Sequence, residues 1–153
     1  ISAYARPGRQ SQHNLNYWRF GDYLGIGAGA HGKLTCVEGT GRWRIERRWK
    51  TRQPEAYLAR RHDLRGFLAG RNEVVDAELP LEFSMNALRL VEGVPLSDWQ
   101  AHTGRAMTLL EKRLGAARNK GLLVEDVTRL QASSQGLLFL NELLALVSDA
   151  GGK

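Results

Sequence analysis

The chain has 153 residues, of which 42% are hydrophobic and 25% are charged, a composition typical of globular proteins and sufficient for one domain or two small ones. A single cysteine, Cys36, excludes an internal disulfide and is typical of a reducing compartment. The sequence has no apolar run near the roughly 20 residues of a membrane span, and it begins without a signal-peptide core, so we expect a cytoplasmic protein.

The first 12 residues predict a surface loop, which a polar and aromatic motif follows. A short strand-like pattern breaks at Pro7-Gly8, which marks a turn. The run from His13 to Trp18, HNLNYW, is dense in groups that ligate, hydrogen-bond or stack. A loop histidine satisfied by backbone groups is the commoner case, so these residue types permit a site around His13 without requiring one.

The stretch from Asp22 to Gly32, DYLGIGAGAHG, alternates glycine with apolar residues and predicts a strand. Glycine at every second position, Gly25, Gly27 and Gly29, lets a ligand lie flat against the backbone. We expect the end of the stretch to turn with positive φ and to direct N–H groups at that ligand. The alternative is a strand whose glycines serve close packing alone. Asp22 is expected to fix the loop rather than to perform chemistry.

Together the two motifs resemble those of HemW-type proteins, radical S-adenosylmethionine (SAM) enzymes related to oxygen-independent coproporphyrinogen III oxidase. The resemblance continues through EFSMNALRLVEGVP, Glu82 to Pro95, and through Gly136 to Leu144. It implies a haem chaperone, which binds haem or a porphyrin and delivers haem to acceptor proteins, with membrane-associated acceptors as one alternative. Porphyrin biosynthesis by the oxidase reaction is the alternative activity, but the HNLNYW run favours the chaperone branch.

The resemblance also implies which residues of the two motifs meet ligands. On the SAM or substrate side it places Gly25, Gly27, Gly29, Ala30 and His31. On the haem side it places His13, Tyr17 and Trp18, which match the family's HNxxYW pattern. His13 would be an axial ligand of the haem iron or would position the two aromatic rings. The spacing permits His13 and His31 to flank one cleft, and no residue is given a catalytic role.

Radical SAM chemistry requires a four-iron cluster held by three thiolates, in the family's CxxxCxxC motif. That motif is absent from these 153 residues, and the sequence starts at Ile1 rather than at an initiator methionine. We therefore expect the carboxy-terminal part of a longer protein, whose missing amino-terminal part holds the 4Fe-4S cluster. The chain by itself is expected to be enzymatically inactive.

Residues 33 to 50 predict a β-hairpin with a strongly basic second strand. KLTCVE is followed by a turn at residues 39 to 41 and then by RWRIERRWK. The period of a strand places one set on one face, Trp43, Ile45, Arg47 and Trp49, and a charged set on the other, Arg42, Arg44, Glu46, Arg48 and Lys50. Residues 42 to 52 carry six positive side chains and one negative, or +5 of the whole-chain charge of +6. Three interpretations of these residues, here called the basic arm, stay open. The arm is a solvated strand face, or it binds porphyrin carboxylates, or its tryptophans stack on nucleic acid bases.

The remainder of the chain predicts helices separated by short turns. A short helix begins at Pro54, and a longer one runs from Leu79 to Gly93. The apolar stripe of the longer helix comprises Leu81, Phe83, Met85, Ala87, Leu88 and Val91. Ser97 is expected to cap a short helix, and Ser134 a last one. The inward residues of that last helix are Leu137, Leu140, Leu144 and Val147. A helix over 105–120 and a small wing of two strands lie between the helix at Ser97 and the last helix. The inward residues of the helix over 105–120 are Met107, Leu110, Leu114 and Ala117.

The fold class that follows is α/β. By resemblance, residues 1–52 form the end of a radical SAM barrel, with the last strand of an incomplete β/α barrel and the basic hairpin. Residues 53–77 form a connector, and residues 78–153 a winged-helix-like domain of the HemN carboxy-terminal type. A winged-helix nucleic-acid-binding module is the alternative of another class, with a reading helix that carries Arg105, Lys112, Arg113, Arg118 and Lys120. We expect no nucleic acid partner, because Glu111 and the acidic wing tip at Glu125-Asp126 oppose that surface. The four histidines have no metal-ligand spacing.

Overall fold

The computed structural model describes residues 5–39 and 41–149, which form a mixed α/β chain of two compact units. Residues 22–75 make up the first, here called the sheet unit. Residues up to 21 and from 76 onward make up the second, the helical unit. The short strand expected at the start of the chain falls mostly on residues 1–4, outside the described part. The division into domains at residues 52 and 77 stays a prediction.

The sheet unit contains three antiparallel strands in the order β1-β2-β3. β1 spans His31–Val37, β2 spans Trp43–Lys50 and β3 spans Leu68–Glu73. The predicted hairpin is confirmed, with His31 opposite Trp49 and Val37 opposite Trp43. The third strand was not predicted, because LAGRNE lacks the β-branched and aromatic residues that usually indicate a strand.

Helix α2, Pro54–Ala59, and a 3₁₀ turn at Arg60–His62 connect β2 to β3. The predicted start at Pro54 is confirmed, with proline in the first turn, where its missing N–H leaves no hydrogen bond unmade. Tyr57 of this helix stacks on Phe67, with ring centroids 4.3 Å apart. The connector therefore folds back along the sheet and supplies its third strand.

The glycine-rich stretch is not a strand, which corrects the prediction. Tyr23 makes an isolated bridge to Lys33, and regular pairing begins only at His31. Gly27 and Gly29 have φ of +102° and +69°, values that leave the extended conformation and turn the chain. Residues 25–30 are therefore called the glycine turn below.

The helical unit begins with helix α1, Gln12–Trp18, which contains the whole HNLNYW motif. The expectation of a loop is wrong here. Ser11 caps the helix, its side chain accepting a hydrogen bond from the N–H of Asn14 at 3.4 Å. Tyr17 follows His13 by four positions, so the helix places both rings on one side.

Five further helices and a two-stranded sheet complete the described part of the helical unit. The helices are α3 Leu79–Ala87, α4 Ser97–Thr103, α5 Met107–Asn119, α6 Ser134–Leu138 and α7 Leu140–Asp149. Strands β4, Val94–Pro95, and β5, Arg129–Leu130, pair antiparallel. None of the described helices has the length and apolarity needed to cross a membrane.

Three details of the helix predictions are corrected. α3 ends at Ala87 rather than Gly93, and its buried residues are Leu79, Pro80, Phe83, Ser84 and Ala87, while Met85 and Val91 are exposed. Ser97 lies inside α4 and makes no cap, because Leu96 occupies the cap position. The last helix breaks at Phe139 and is capped by Ser133. Val147 is buried as predicted, but the other buried residue is Leu143, and Leu137, Leu140 and Leu144 are half-buried.

The helix over 105–120 is confirmed as α5, with Leu110, Leu114 and Ala117 buried. Those residues belong to a core centred on Trp99, whose ring meets Phe83 edge-on at a centroid distance of 5.4 Å. Phe83 in turn meets Phe20 at 5.5 Å. Aromatic edge-to-face contacts of this kind add to the stabilisation from apolar burial.

The predicted wing corresponds to a turn rather than to two full strands. Leu123 and Ala132 form an isolated bridge, and the N–H of Val124 donates to the carbonyl of Gln131 at 2.9 Å. Asp126 accepts hydrogen bonds from the N–H and the hydroxyl of Thr128, both at 2.7 Å. The regular pairing lies between β5 and β4.

Candidate functional site: a basic cleft beside the glycine turn

The glycine turn is attached to the end of β2 by backbone hydrogen bonds. The N–H of Gly29 donates to the carbonyl of Thr51 at 2.8 Å, and the N–H of Lys50 donates to the carbonyl of Ala30 at 2.9 Å. On the amino-terminal side of these anchors, the N–H groups of residues 26, 27 and 28 make no hydrogen bond to any described residue. These three donors are left for water or a ligand.

The glycines of the turn serve different purposes. A Cβ on Gly25 would lie 2.3 Å from the carbonyl oxygen of His31, so this glycine is required by close packing of the chain on itself. A Cβ on Gly27 would meet no atom within 4 Å, and its positive φ is what requires glycine there. The packing alternative therefore accounts for Gly25, whereas Gly27 and Gly29 shape the turn.

A cleft of about 480 Å³ lies beside the turn and is called the basic cleft below. Its lining residues are Ala28, Gly29, His31, Trp49, Lys50 and Arg52. A second cavity of about 250 Å³ borders the same turn and shares Lys50. The other lining residues of the second cavity are Tyr23, Leu24, Gly25, Ala30, Gly32, Leu34, Arg48, Arg65 and Leu68. Lys50 reaches both because the strand register shifts between Trp49 and Lys50.

Trp49 supplies the flat surface of the basic cleft. It lies opposite Gly70 of β3, and a Cβ on Gly70 would come within 2.3 Å of the indole ring. The ring therefore rests directly on the backbone of β3, where only glycine leaves space for it. Trp49 remains 37% exposed.

Glu46 is the centre of an arginine cluster on the charged face of β2. Its side chain is only 2% exposed and pairs with Arg44, with Arg48 at 2.8 Å and with Arg71 at 3.7 Å. Burial alone would raise the pKa of Glu46, but the hydrogen bond from Arg48 and the charges of the three arginines outweigh it. The pKa of Glu46 therefore lies below its ordinary 4.5.

Two further carboxylates neutralise the same face. Arg44 also lies 3.2 Å from Glu38, and Arg42 lies 3.1 Å from Glu73. The three arginines that the sequence offered for porphyrin carboxylates, Arg42, Arg44 and Arg48, are thus paired within the sheet unit. The sequence missed this cluster because Glu73 and Arg71 come from the unpredicted strand β3.

Uncompensated positive charge lies instead at the basic cleft. Within the described residues, neither Lys50 nor Arg52 forms an ion pair with a carboxylate. Arg47 donates to the phenolic oxygen of Tyr23 at 2.9 Å. The free cations of the basic arm are therefore concentrated where the glycine turn meets the end of β2.

Asp22 fixes the start of β1. It accepts hydrogen bonds from Nζ of Lys33 at 2.7 Å, and from the N–H and hydroxyl of Thr35 at 2.7 and 2.8 Å. Burial by itself would raise the pKa of Asp22. The hydrogen bonds and the charge of Lys33 outweigh the effect of burial, so the pKa of Asp22 lies below its ordinary value. The Lys33 side chain is 2% exposed, so Asp22 satisfies a buried cation.

The HNLNYW motif lies on α1 of the helical unit. His13 and Tyr17 are exposed, with ring centroids 6.1 Å apart, and Trp18 is half-buried. No group of three or more His, Cys, Asp or Glu among the described residues has metal-binding geometry. His31 belongs to the sheet unit, so a shared cleft for the two histidines stays a prediction.

The carboxy-terminal end of α1 is fixed by residues that the sequence did not single out. Arg19 donates to both carboxylate oxygens of Asp98, at 2.8 and 3.3 Å. Phe20 has a φ of +65°, which is rare for a residue with a side chain, and is 1% exposed in the core. This turn and ion pair anchor α1 to the helical unit.

Comparison with known proteins shows which proteins the chain resembles. The HemN C-terminal domain matches residues 76–139. The chain is 45% identical over 145 residues to the Heme chaperone HemW of Escherichia coli K12, and 44% identical over 146 residues to that of Haemophilus influenzae. Each alignment covers 95% of this chain and 36% of the relative. Over nearly its whole length, the chain is similar to HemW-type proteins.

Eukaryotic relatives of the chain are more distant. It is 35% identical over 153 residues to the mouse protein named Radical S-adenosyl methionine domain-containing protein 1, mitochondrial. That alignment covers 94% of this chain and 33% of the mouse protein. The chain thus spans about a third of the length of the curated relatives it matches. No solved structure gives a significant match to it.

A nucleic-acid-reading helix would use the basic residues of α5 and its flanks. Most of these residues form ion pairs or hydrogen bonds within the chain. Arg118 pairs with Glu111, Lys120 with Glu142 at 3.0 Å and Arg105 with Asp76 at 2.7 Å. Arg113 donates to two backbone carbonyls, of Ser148 and Ala77. Pairing of this kind removes the concentrated positive surface that nucleic acid binding requires.

Proposed function

We propose that the chain is the part of a HemW-like haem chaperone that contacts haem, and that the longer protein delivers the haem to acceptor proteins. The observation that carries this proposal is the 45% identity to a protein named heme chaperone over 95% of this chain. Oxidation of coproporphyrinogen III is the second candidate. It requires a radical that these residues cannot generate.

The four-iron cluster of radical SAM chemistry does not fit this chain. Such a cluster takes three thiolates, and the chain has one cysteine, Cys36, which lies on β1. We therefore derive no step of SAM cleavage from these residues. The cluster and the reductive cleavage of SAM would belong to a longer protein, together with the barrel for which the resemblance argues.

The residues proposed for ligand contact lie in both units. His13, Tyr17 and Trp18 would hold haem, and the exposure of the His13 and Tyr17 rings on one side of α1 supports this role. The glycine turn would supply the SAM or substrate side through Gly25, Gly27, Gly29, Ala30 and His31. Free N–H groups and the adjacent cleft support that assignment.

The setting proposed for the protein is the cytoplasm, with haem-acceptor proteins as partners, including acceptors at a membrane. Nucleic acid is not among the proposed partners, because most basic groups of α5 and its flanks are engaged by carboxylates or backbone carbonyls. The helical unit would be a winged-helix-like domain, for which the match to the HemN C-terminal domain is the support.

The proposal is tested by titrating haem into the full-length protein and following the Soret band. We expect saturable binding and a His13→Ala variant with an altered Soret spectrum, because removal of an axial imidazole changes iron coordination. His62→Ala is the matched control, since His62 is exposed and lies on the 3₁₀ turn. Circular dichroism would verify that both variants fold.

Two results would contradict these assignments. If the full-length protein bound no haem, the chaperone proposal would fail. If His13→Ala matched the parent in both spectrum and affinity, His13 would have no role in binding, and a parallel His31→Ala variant would test the remaining motif histidine.

A further inference from the structure

Two cations in the basic cleft lack a partner in a region where other cations are neutralised. Among the described residues, Arg42, Arg44 and Arg48 each have a carboxylate within 3.2 Å, whereas Lys50 and Arg52 have none. Lys50 is half-buried at the end of β2. An unpaired cation held against a folded surface attracts an anion more strongly than one fully in water.

One residue of the glycine turn whose N–H group is unpaired among the described residues, Ala28, also lines the cleft. The N–H groups of residues 26, 27 and 28 are unpaired within the described part, and Ala28 and Gly29 line the cleft. A Cβ on Gly29 would lie 3.6 Å from Cγ of Arg52, so the stem of Arg52 rests on the turn. Consecutive backbone N–H groups in a turn with positive φ form a recognised anion-binding arrangement.

The shape of the cleft adds a requirement for a flat ligand. Trp49 is held against the backbone at Gly70 and is partly exposed in the cleft, which Lys50 and Arg52 also line. An indole face favours planar, polarisable rings. The ligand that fits both features is a planar ring system with carboxylates on its edge.

We infer that the basic cleft holds the carboxylates of a tetrapyrrole through Lys50 and Arg52, with part of the ring system against Trp49. This inference rests on the proposed function, and it specifies which groups of the cargo the cleft recognises. SAM fits the cleft less well, because its sulfonium and ammonium groups give it a net positive charge beside two uncompensated cations. The charge therefore assigns this side of the glycine turn to the tetrapyrrole.

The test uses the full-length protein and a Lys50→Gln/Arg52→Gln double variant. The matched control is Arg42→Gln/Lys120→Gln, which also removes one arginine and one lysine, but from exposed ion pairs with Glu73 and Glu142. Each protein is titrated with haem, haem dimethyl ester and coproporphyrin III. Circular dichroism confirms the fold of both variants.

We expect the cleft variant to bind haem at least about tenfold more weakly, a change of about 1.4 kcal/mol, and the control to match the parent. Haem dimethyl ester, which lacks free carboxylates, should bind the parent and the cleft variant equally. Unchanged haem affinity in the cleft variant, or equal weakening of haem and its ester, would overturn the inference.

Coproporphyrin III separates this inference from the proposed function. If the parent bound coproporphyrin III but not haem, and the cleft variant lost that binding, the chaperone proposal would fail while the carboxylate site stood. If the parent bound neither ligand, both would fail. Loss of a salt-sensitive oligonucleotide association in the cleft variant, with haem binding unchanged, would reassign the cleft to nucleic acid and overturn the inference.

Discussion

At the scale of the residue, Glu46 determines how the basic arm behaves. A carboxylate with a 2% exposed side chain is stable in its ionised form only because Arg44, Arg48 and Arg71 surround it. Without Glu46, these three guanidinium groups would repel one another across β2 and β3. The charges of Arg44, Arg48 and Arg71 thus stabilise the sheet unit rather than serving a ligand.

We predict that Glu46→Gln lowers the free energy of unfolding by about 2–4 kcal/mol at pH 7, because it removes the carboxylate that Arg48 and Arg71 share and leaves Arg44 with Glu38 alone. The same variant tests the pH dependence. The pKa of Glu46 is depressed in the folded state, so its contribution is complete above about pH 4.5, the ordinary value, and is lost as the pH falls through the folded pKa. Urea unfolding curves at several pH values would measure both effects.

Glu73→Gln is the matched control for Glu46→Gln, because its ion pair with Arg42 joins side chains that are 38% and 63% exposed. An exposed pair of this kind contributes less than about 1 kcal/mol. Parent and Glu46→Gln should converge in stability as the medium becomes acidic. If the free energies of unfolding of parent and Glu46→Gln differed by the same amount at every pH, the ionised carboxylate of Glu46 would contribute nothing to stability.

At the scale of the element, the glycine turn is the segment whose conformation a single added Cβ atom would disturb. Its carboxy-terminal end is hydrogen-bonded to Lys50 and Thr51, and its middle carries unpaired N–H groups. Gly25 packs against the carbonyl of His31, at the start of β1. The turn is therefore held by hydrogen bonds at its carboxy-terminal end and by close packing at Gly25.

We predict that Gly25→Ala destabilises the sheet unit by about 1–3 kcal/mol and weakens tetrapyrrole binding, because a Cβ there would lie 2.3 Å from the His31 carbonyl oxygen. Gly39→Ala is the control: its Cβ would meet nothing within 4 Å, and its φ is not positive. Urea unfolding and haem titration of both variants provide the comparison. Equal free energies of unfolding for the two variants would contradict the prediction, because the turn would then accommodate the added Cβ without loss of stability.

At the scale of the whole molecule, the chain combines a sheet unit with free cations at its cleft and a helical unit with exposed aromatic rings on α1. The residues of the sequence motifs are divided between the two units, with HNLNYW in the helical unit and the glycine turn in the sheet unit. Haem contact requires nothing beyond such binding surfaces. Radical chemistry requires thiolates that the chain does not supply.

We predict that these 153 residues, reconstituted anaerobically with iron, sulfide and a reductant, cleave SAM no faster than a protein-free blank. One cysteine cannot supply the three thiolates of a four-iron cluster. The measurement is the release of 5′-deoxyadenosine, with the full-length protein as the positive control. Release above the blank by the chain alone would refute the prediction.

The sequence by itself determined what depends on local period and residue type. The alternation in RWRIERRWK gives β2 its two faces, proline at position 54 begins α2, and apolar spacing gives the buried residues of α5. The HNLNYW and glycine-rich motifs also sufficed to indicate the resemblance to HemW-type proteins. Each of these signals lies within about a dozen neighbouring residues.

The tertiary structure decided which of the basic residues are free. Whether an arginine meets a carboxylate depends on strand register: β3 brings Arg71 opposite Arg48 and Glu73 opposite Glu46. No local pattern marks β3 as a strand, so no reading of the hairpin alone distinguishes the neutralised Arg42 from the free Lys50. Electrostatic energy depends on distance in space rather than in sequence, and for that reason the basic cleft emerged only from the folded sheet.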